Sequence, residues 1–432
     1  MAERSTLQVA PAGALTGELT VPGDKSISHR AVMVGSLCDE RVTVTGFGAS
    51  ADTLATVEAF RVLGVEIERD GDRLRIEGVG LRGLKPPAAA IDVGNAGTLM
   101  RILPGILAGQ YGAFTLDGDD SIRSRPMRRI AEPLGQMGVP VDTTDGLPPV
   151  TVHASGLVEP ISYRPPVASA QVKSCVLFAG LFSERGVTTV EEGIPTRDHT
   201  ERMLQRAGVP VDRRPGRVSI SPVRELVLPE IPVPGDFSSA APFIAAATIL
   251  QGSNLTLREV SINPTRTGML AVLERMGARV GLFRRRWAAG EPVADIEVRP
   301  AELVATDIEP EMVPSLIDEL PLLVLLASFA RGTTTVRGAG ELRVKESDRI
   351  ATVVELLTAV GAHVKALEDG FQVQGVPHRL RGGHVDAAGD HRIAMLGAIA
   401  GVCSQEGVSV DGAESLAVSF PDFADRLAAV SS

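Results

Sequence analysis

The sequence predicts a two-domain α/β protein made of six similar units, and three recurring features of the chain support this. The first is a short element with a central glycine, which returns after 74, 70, 69 and 84 residues. It reads LGVEIE around Gly64, MGVPVD around Gly138, AGVPVD around Gly208, MGARV around Gly277 and VGAHV around Gly361. Each glycine ends a segment with helical spacing and precedes a β-branched stretch, so we expect it to cap that helix in the left-handed conformation.

The second feature is a small apolar helix that occurs six times, beginning near residues 26, 97, 169, 238, 318 and 390. The segments are SISHRAVMVGSL, GTLMRILPGILAG, SAQVKSCVLFAGL, SSAAPFIAAATIL, DELPLLVLLASFA and DHRIAMLGAIAGV. Alanine, glycine and leucine occupy all sides of these helices. That composition is typical of burial inside a domain, whereas a helix at the surface would have one polar face.

The third feature is a strand-like run that follows each apolar helix and ends in turn residues. The runs are RVTVTGFG, FTLDGDD, VTTVEEG, LTLREV, TTTVRGAG and VSVDGAE. Their alternating pattern and terminal glycine or aspartate predict strands. Six units of about 70 residues exceed the usual size of one compact domain, so we expect two domains of three units each. The alternative is an ordinary α/β protein whose helix ends are similar by chance.

Two related stretches indicate where the chain crosses between the domains. VPGDKS at 21–26 and VPGDFSSA at 233–240 both join a Pro-Gly turn to the start of an apolar helix. We therefore predict a first lobe at 25–234 and a second lobe that combines 1–24 with 235–432, with hinge crossings near 22–25 and 233–237. Because the chain would cross between the lobes twice, we predict a hinge at the crossings and a cleft between the lobes.

The composition excludes several classes of protein. The chain carries 53 acids against 43 bases, a net charge of -10, and only 3% aromatic residues, so we expect no nucleic-acid partner. Cys38, Cys175 and Cys403 lie far apart and are odd in number, which favours free thiols in a reducing compartment. We find no signal peptide and no apolar run long enough to cross a bilayer, so we expect a cytoplasmic protein without a membrane partner.

Charged and polar residues cluster where the predicted helices begin. The apolar helices open with Lys25, Ser26 and Arg30, with Asn95 to Thr98 and Arg101, with Ser169 and Gln171, with Asp318, and with Asp390 to Arg392; the other helices open with Arg125, Arg197 and residues 345–349. A helix N-terminus has free N–H groups and a partial positive charge, so it binds anions and disfavours cations. Basic residues at several such positions therefore indicate an external anion.

The number of cations strengthens this argument. Eight basic residues belong to the set: Lys25, Arg30, Arg101, Arg125, Arg197, Lys345, Arg349 and Arg392. Two cations about 8 Å apart repel by roughly 2 kcal/mol at an effective dielectric constant near 20. A ligand with phosphate and carboxylate groups would offset this repulsion, so we expect domain closure to depend on substrate. The alternative is that each base pairs with a local acid on a solvated surface.

Other catalytic and cofactor motifs are missing from the sequence. GDKS lacks the spacing of a P-loop, no GxGxxG follows a convincing strand, and there is no HExxH or cluster of histidine and cysteine. We therefore expect no metal and no nucleotide cofactor. Three histidines could be catalytic, His29, His199 and His391, but only His391 lies within a dense charged motif.

Eight motifs, in order along nearly the whole chain, resemble those of the 5-enolpyruvylshikimate-3-phosphate synthase family of enolpyruvyl transferases. They are PGDKSISHRA, GNAGTLMR, DGDDSIRSRPM, SAQVKS, TRDHTERML, LIDELP, ELRVKESDRI and GDHRIAM. The resemblance implies two domains, each of three βαβαββ units around a pseudo-threefold axis. It also implies a reaction that joins shikimate 3-phosphate to phosphoenolpyruvate without a cofactor. We expect a monomer.

The same resemblance assigns roles to individual residues. Those implied to bind shikimate 3-phosphate are Lys25, Ser26, Arg30, Ser169, Ala170, Gln171, Arg197, Asp318 and Lys345. Those implied to bind phosphoenolpyruvate are Lys25, Gly97, Arg125, Gln171, Arg349 and Arg392, with possible support from Asn95, Thr98, Arg101 and His391. In the implied addition and elimination, Asp318 is the base, while Lys25 and Glu346 share acid and base duty. Gly97 keeps the small residue that accompanies glyphosate sensitivity in the family, so inhibition is expected.

Two rival functions are weighed against this one. The related transferase that acts on a nucleotide sugar normally carries a cysteine near the position of GDDSIRSRPM, where this chain has none. A sensor that only binds an anionic metabolite would need the cations but no paired acids, and Asp318 and Glu346 stand among the cations. One difference from another branch of the family is Val418, where that branch has a lysine.

Overall fold

The computed structural model describes residues 5–432 and has the two-domain α/β fold that the sequence predicts. Contacts between residues divide the chain into two compact units. The first unit consists of Gly23–Val233 and a short excursion, Ala288–Glu291. The second unit consists of the segment that ends at Pro22, Pro234–Trp287 and Pro292–Ser432. Residues 1–4 of the predicted second lobe lie outside the described residues, and the hinge between lobes stays a prediction.

Each unit contains three buried apolar helices and several less buried ones. Those of the first unit are α1 (Lys25–Leu37), α2 (Ala51–Val62), α3 (Gly97–Leu107), α4 (Asp120–Arg123), α5 (Arg128–Gln136), α6 (Ala170–Gly180) and α7 (His199–Arg206). Those of the second unit are α8 (Phe237–Ile249), α9 (Gly268–Arg275), α10 (Leu320–Ser328), α11 (Arg349–Ala359), α12 (His391–Val402) and α13 (Phe423–Val430). Short 3-10 helices cover Val313–Ser315, Gly340–Val344 and Ala413–Val418.

Three sheets of four strands with the same topology make up the β structure of the first unit. Their strands are β3 (Arg41–Thr45), β4 (Glu66–Asp70), β5 (Arg73–Glu77), β6 (Ile91–Asp92), β7 (Tyr111–Asp117), β8 (Val141–Thr144), β9 (Leu147–Ser155), β10 (Ser162–Tyr163), β11 (Thr188–Glu191), β12 (Val211–Arg214), β13 (Arg217–Ile220) and β14 (Glu230–Pro232). The orders are β14-β3-β5-β4, β6-β7-β9-β8 and β10-β11-β13-β12. The first pair of each sheet is parallel and the others are antiparallel.

Three further sheets make up the β structure of the second unit. Their strands are β1 (Thr6–Val9), β2 (Thr16–Thr20), β15 (Asn254–Ser261), β16 (Arg279–Ala288), β17 (Glu291–Arg299), β18 (Gly332–Val336), β19 (His363–Leu367), β20 (Gly370–Gly375), β21 (Gly383–Asp386) and β22 (Val408–Asp411). The orders are β16-β17-β15-β2, β18-β20-β19 and β1-β22-β21. Strands β2 and β15 are parallel, as are β21 and β22, so the parallel pair of the first unit's sheets recurs in two of these three, while both pairs of β18-β20-β19 are antiparallel.

The six apolar helices form the centres of the two cores, as the sequence predicts. Helices α1, α3 and α6 lie in one hydrophobic cluster and α8, α10 and α12 in the other. Side-chain oxygens of Asp24, Ser169, Asp236 and Asp390 accept hydrogen bonds from N–H groups at the starts of four of them. Such caps satisfy part of the free N–H groups of a helix N-terminus and hold the first turn in place.

The recurring glycines also adopt the predicted conformation. Gly64, Gly138, Gly208, Gly277 and Gly361 have φ angles of 95°, 78°, 94°, 82° and 96°. They follow α2, α5, α7, α9 and α11, and each precedes a strand or extended segment. Glycine has no Cβ to oppose this left-handed conformation, so the turn from helix to strand costs little there.

Four helix starts differ from the prediction. Helices α7 and α11 begin at His199 and Arg349, so Arg197 and Lys345 precede them. Helix α5 begins at Arg128, so Arg125 lies in the loop between α4 and α5. Pro126 accounts for this, because the residue before a proline is disfavoured in the helical conformation. Helix α10 begins at Leu320, which places Asp318 before the helix with Glu319 as the N-cap.

The three cysteines are free and buried. Burial raises the pKa of the Cys38 thiol to about 11 and those of Cys175 and Cys403 to about 12, so the thiols stay protonated at neutral pH. Among the described residues, no helix is long and apolar enough to span a membrane. Within residues 5–432, no group of three or more His, Cys, Asp or Glu side chains is placed to hold a metal ion.

Helices α3 and α6 are in close contact at Gly105. A Cβ added at Gly105 would lie 2.0 Å from the carbonyl oxygen of Cys175, well inside van der Waals contact. Because Gly97 begins α3 and Ala170 begins α6, this contact fixes the distance between two helix starts that carry predicted site residues.

We expect Gly105→Ala to lower the free energy of unfolding by about 1–3 kcal/mol, because the two helices must separate to admit the methyl group. Gly135→Ala is the matched control. It lies in α5 with no atom within 4 Å of its added Cβ, and alanine there should be neutral or stabilising by up to about 1 kcal/mol. Urea unfolding followed by circular dichroism measures both. Equal stabilities of the two variants would contradict the close approach of α3 and α6.

Candidate anion-binding sites of the two units

In the first unit, Lys25 is the first residue of α1 and faces an acid that the sequence analysis missed. Its Nζ lies 2.9 Å from Oδ2 of Asp52, in the first turn of α2. The preceding residue, Asp24, caps the helix by accepting a hydrogen bond from the N–H of Ile27 at 2.9 Å. Two elements thus fix the backbone and the ammonium group of Lys25. Ser26, the next residue of α1, is half-buried beside it.

Arg30 lies one turn further along α1 and is only 2% exposed. Its Nε donates to Oγ1 of Thr200 at 2.6 Å, and its two terminal nitrogens donate to the Ser26 carbonyl and to Oγ of Ser174, each at 2.9 Å. All three acceptors are neutral. Among residues 5–432, no carboxylate forms an ion pair with Arg30. Thr200 and Ser174 were not predicted.

The pKa of Arg30 reflects this position. Burial, the largest cause, lowers the pKa to about 10, and the nearby cation of Arg197 lowers it too, while the carboxylates of Glu201, Asp24 and Glu291 oppose the shift. The guanidinium stays charged at neutral pH. Arg197 itself is half-buried and immediately precedes Asp198, the N-cap of α7. The structure therefore places the two arginines close enough for their charges to interact.

The starts of α3 and α6 are joined by a chain of side-chain hydrogen bonds. Nε2 of Gln171 donates to Oγ1 of Thr98 at 3.2 Å, and Arg101 donates to Oε1 of Gln171 at 2.8 Å. Ser169 caps α6, and its Oγ accepts from the N–H of Val172 at 3.4 Å. Residues that are about 70 positions apart in the sequence and were predicted to act together thus lie together.

Arg125 lies against the start of α3, although it does not begin a helix itself. It is 7% exposed, and its Nη2 donates to Oδ1 of Asn95 at 3.0 Å and to Oγ of Ser121 at 3.1 Å. A Cβ added at Gly97 would lie 2.7 Å from Nη1 of the same guanidinium. Only glycine at the first position of α3 leaves room for Arg125 in this place.

In the second unit, the carboxylate of Asp318 lies among three arginines. Its oxygens are 3.4 Å from Nη1 of Arg266, 3.5 Å from Nη1 of Arg349 and 3.7 Å from Nη2 of Arg392. Arg392 also donates to the Asp318 carbonyl oxygen at 3.1 Å. Arg349 and Arg392 were predicted to lie near Asp318, whereas Arg266, 4% exposed, was not. The dense positive charge expected at this site is thus accompanied by a central acid.

Arg349 is 1% exposed and contacts three carboxylates. Its Nε lies 2.8 Å from Asp390 Oδ2, its Nη2 lies 2.5 Å from Glu346 Oε2, and Asp318 is the third partner. Burial would lower the pKa of Arg349, but the carboxylates of Glu346, Asp390 and Asp318 raise it above its ordinary value. Burial likewise opposes ionisation of Asp390, yet the charge of Arg349 holds the pKa of Asp390 below its usual range.

The remaining predicted residues of the second unit lie at the ends of the same elements. Lys345 is half-buried immediately after the 3-10 helix Gly340–Val344. His391 is 2% exposed as the first residue of α12, directly after its N-cap Asp390. Most of the predicted residues therefore lie at or near helix starts, while Arg125, Arg197, Asp318 and Lys345 lie in the loops just before a helix. That the predicted residues of both units bind the same substrates stays a prediction.

Several contact partners in these sites were not predicted from the sequence. The partners that were not predicted are Asp52, Ser174, Thr200 and Arg266. Ser174 and Thr200 belong to the quoted motifs SAQVKS and TRDHTERML, but no pattern in those motifs identifies them as partners of Arg30. Arg266 and Asp52 stand outside the quoted motifs, and nothing in the sequence indicates them.

Comparison with known proteins gives a consistent result. The family model described as EPSP synthase (3-phosphoshikimate 1-carboxyvinyltransferase) matches residues 9–427. The 3-phosphoshikimate 1-carboxyvinyltransferase of Methylococcus capsulatus is 49% identical over 417 residues, which cover 96% of this chain and 95% of that protein.

Solved structures extend the comparison to the fold. An EPSP synthase structure from Acinetobacter baumannii superimposes with a TM-score of 0.89 and 41% identity, covering 99% of this chain and 98% of that one. The enolpyruvyl transferase NikO from Streptomyces tendae has a TM-score of 0.78 with 18% identity, over 99% of this chain and 98% of its own. At that identity the second likeness concerns the fold alone.

The Asp390–Arg349 pair predicts a specific dependence of stability on pH. Asn at position 390 can still cap α12 but leaves Arg349 with one carboxylate fewer, so we expect Asp390→Asn to cost about 3 kcal/mol at neutral pH. Because the folded pKa of Asp390 lies below the unfolded value of about 4, its contribution is complete above about pH 5 and is lost as the pH falls through the folded pKa.

The difference between wild type and Asp390→Asn should therefore narrow below about pH 4. Urea unfolding at a series of pH values measures it. Asp425→Asn, at an exposed position in α13, is the control and should change stability by less than about 1 kcal/mol. A difference for Asp390→Asn that stays constant across this range would show that the carboxylate does not contribute through its charge.

Proposed function

Since the chain belongs to the EPSP synthase family, we propose that its two groups of buried charges serve the reaction of that family, each with a part of its own. The reaction transfers the 1-carboxyvinyl group of phosphoenolpyruvate to the 5-hydroxyl of shikimate 3-phosphate and releases phosphate. The chain is thus a transferase of the shikimate pathway, which leads to aromatic amino acids.

The observation that carries the proposal is the buried Arg30. A guanidinium that is 2% exposed and bonded only to neutral acceptors is costly unless an anion completes its surroundings. The phosphate of shikimate 3-phosphate supplies that anion, bound also by Arg197 and by the capped start of α6. The residues of this proposed site in the first unit are Lys25, Ser26, Arg30, Ser169, Ala170, Gln171 and Arg197.

Phosphoenolpyruvate carries a phosphate and a carboxylate, so it needs several cations. In the first unit we assign Lys25, Gly97, Arg125 and Gln171 to it. Gly97 acts by leaving room for Arg125, and Asn95 orients that guanidinium. Thr98 and Arg101 hold the amide of Gln171 from two sides.

The second unit contributes Arg349 and Arg392 to phosphoenolpyruvate and Asp318 and Lys345 to the shikimate hydroxyls. Arg392 is the more exposed of the two arginines, at 12% of its side chain against 1%. Arg392 is therefore the more direct contact, while the carboxylates of Glu346, Asp390 and Asp318 balance the charge of Arg349 before substrate binds. His391 stays a supporting residue beside Arg392.

The chemistry follows from the kinds of group present. Asp318 accepts the proton of the 5-hydroxyl as its oxygen attacks C2 of phosphoenolpyruvate, and C3 gains a proton at the same time. Lys25 and Glu346 supply and remove the proton at C3, since both can exchange protons. The tetrahedral intermediate then loses phosphate. Arginines cannot exchange protons, so they act as fixed charges that stabilise the phosphate as it leaves.

The setting proposed for the enzyme is the cytoplasm, where its three free thiols would stay reduced. We propose that it acts as a monomer.

A phosphate-release assay with both substrates tests the function. Wild type should release one phosphate for each enolpyruvyl group transferred, and Asp318→Asn should lower kcat at least 100-fold, in line with the usual contribution of a general base. Calorimetric titration with shikimate 3-phosphate should show that the variant still binds it. Absence of phosphate release by wild type would end the proposal, and unchanged turnover of the variant would remove Asp318 as the base.

Gly97→Ala tests the assignment of Arg125. The added Cβ would lie 2.7 Å from Nη1, so the guanidinium must move, and we expect the KM for phosphoenolpyruvate to rise about tenfold, which corresponds to about 1.4 kcal/mol. The KM for shikimate 3-phosphate should stay within about twofold. Gly135→Ala serves again as control, since its added Cβ contacts nothing. An equal rise for both substrates would mean that Arg125 does not bind phosphoenolpyruvate in particular.

A further inference from the structure

A hairpin tip supports the helix that follows Arg197. Strands β16 and β17 lie in a sheet of the second unit, but the residues between and beside them, Ala288–Glu291, group with the first unit. There the Gly290 carbonyl accepts a hydrogen bond from Arg202 at 3.0 Å. Glu291 Oε1 lies 2.8 Å from Nδ1 of His199. The tip is thus bonded to two residues of α7.

The pair of Glu291 and His199 is almost fully buried, with side-chain exposures of 4% and 0%. An ionised carboxylate only accepts hydrogen bonds, so Nδ1 of His199 donates in this pair. Arg202 Nε lies 3.9 Å from the second oxygen of Glu291 and 2.8 Å from Oδ1 of Asp198, the N-cap residue of α7. The burial of these groups gives α7 one fixed position, because each charged side chain loses its partner if the helix shifts.

Helix α7 in turn positions two of the cations assigned to shikimate 3-phosphate. Thr200, in its first turn, accepts the hydrogen bond from Nε of Arg30 at 2.6 Å. Arg197 precedes its N-cap by one residue. The carboxylate of Glu291 is also close enough to act on the charge of Arg30, whose pKa it raises against the effect of burial. Glu291 therefore acts on the anion site both through α7 and through its charge.

A second buried group fixes the loop on the other side of Arg197. Nζ of Lys173, in α6, lies 2.9 Å from Glu192 Oε2 and 2.7 Å from Glu201 Oε1 in α7. Nζ also donates to the Thr196 carbonyl at 3.3 Å, immediately before Arg197. The loop is thus tied to α6 by Lys173, and the helix after it is held by the hairpin tip. Movement of Arg197 is restricted from both directions.

We propose that Glu291 is a positioning residue for the binding of shikimate 3-phosphate, which it serves by holding α7 so that Arg30 and Arg197 point at the phosphate. The inference rests on the function proposed above. Glu291 does not touch substrate, so it affects the affinity for one substrate and leaves the chemical step unchanged. The alternative is a purely structural role, in which Glu291 only anchors the hairpin.

The test compares three variants in steady-state kinetics with both substrates. Glu291→Ala removes the acceptor of His199 and the negative charge near Arg30, and should raise the KM for shikimate 3-phosphate at least tenfold. We expect kcat and the KM for phosphoenolpyruvate to stay within about twofold. Glu291→Gln keeps an acceptor of the same shape and should recover most of the affinity. Glu297→Gln, in the same strand but paired with Arg299 near the surface, is the control.

A structural role would give a different pattern. Loss of activity in proportion to unfolded protein, with both KM values unchanged, would overturn the proposal, as would equal behaviour of Glu291→Ala and Glu297→Gln. If Glu291→Ala does not fold, Glu291→Met, which keeps the volume of the side chain but has neither the acceptor nor the charge, takes its place and is combined with Thr200→Val, which cuts the bond from α7 to Arg30. The effects of these two changes on KM should then be less than additive, because both act through Arg30. Full additivity would count against the proposal.

The outcome for Glu291 can be separated from that for the function itself. Wild type that releases no phosphate from the two substrates contradicts the proposed function, whatever the variants do. Wild type that turns over normally beside an unaffected Glu291→Ala contradicts the positioning role alone. Calorimetric binding of shikimate 3-phosphate to each variant, without phosphoenolpyruvate, measures the affinity directly and does not depend on turnover.

Discussion

The buried charge of Arg30, which no carboxylate in the described part of the chain contacts directly, is the constraint on which the proposed mechanism depends. Arg30 and Arg349 are equally buried, but their surroundings differ. Arg349 contacts three carboxylates, and its pKa lies above the ordinary value. Arg30 has neutral partners, and burial lowers its pKa to about 10. Arg349 is therefore balanced by carboxylates in direct contact, while Arg30 has no carboxylate of residues 5–432 within ion-pair distance. In the proposed function, the phosphate of the substrate supplies this missing negative partner.

The repeated architecture provides positions for such charged residues. Each apolar helix is buried in a core, and its N-terminus, which a side chain caps in four of the six, is where the chain can present polar groups. Repeating the same unit three times gives each half of the molecule several helix starts, and the glycine turns that follow α2, α5 and α7 return the chain to the sheet each time. In the first unit, Lys173 contacts the loop before Arg197, and Glu291 contacts the helix after it.

The sequence predicts the secondary structure of this protein better than its side-chain contacts. The helices, the strands and the five left-handed glycines follow from periodicity, which depends on neighbours in the chain. Contacts between residues that are distant in the sequence do not follow from periodicity. Thr200 stands 170 residues from Arg30, and Arg266 stands 52 residues from Asp318, so no local pattern relates them. The assignment of Ala288–Glu291 to the first unit is also a property of packing, since these residues continue strands of the second.

The most direct test replaces the buried guanidinium itself with an apolar side chain of similar length. Arg30→Met should leave the free energy of unfolding without ligand unchanged or increase it, because the variant no longer buries a charge that lacks a carboxylate partner. Calorimetry should at the same time show the affinity for shikimate 3-phosphate falling at least 100-fold. A variant that loses several kcal/mol of stability but binds the substrate as tightly as wild type would show that Arg30 serves the fold and that the anion is held elsewhere.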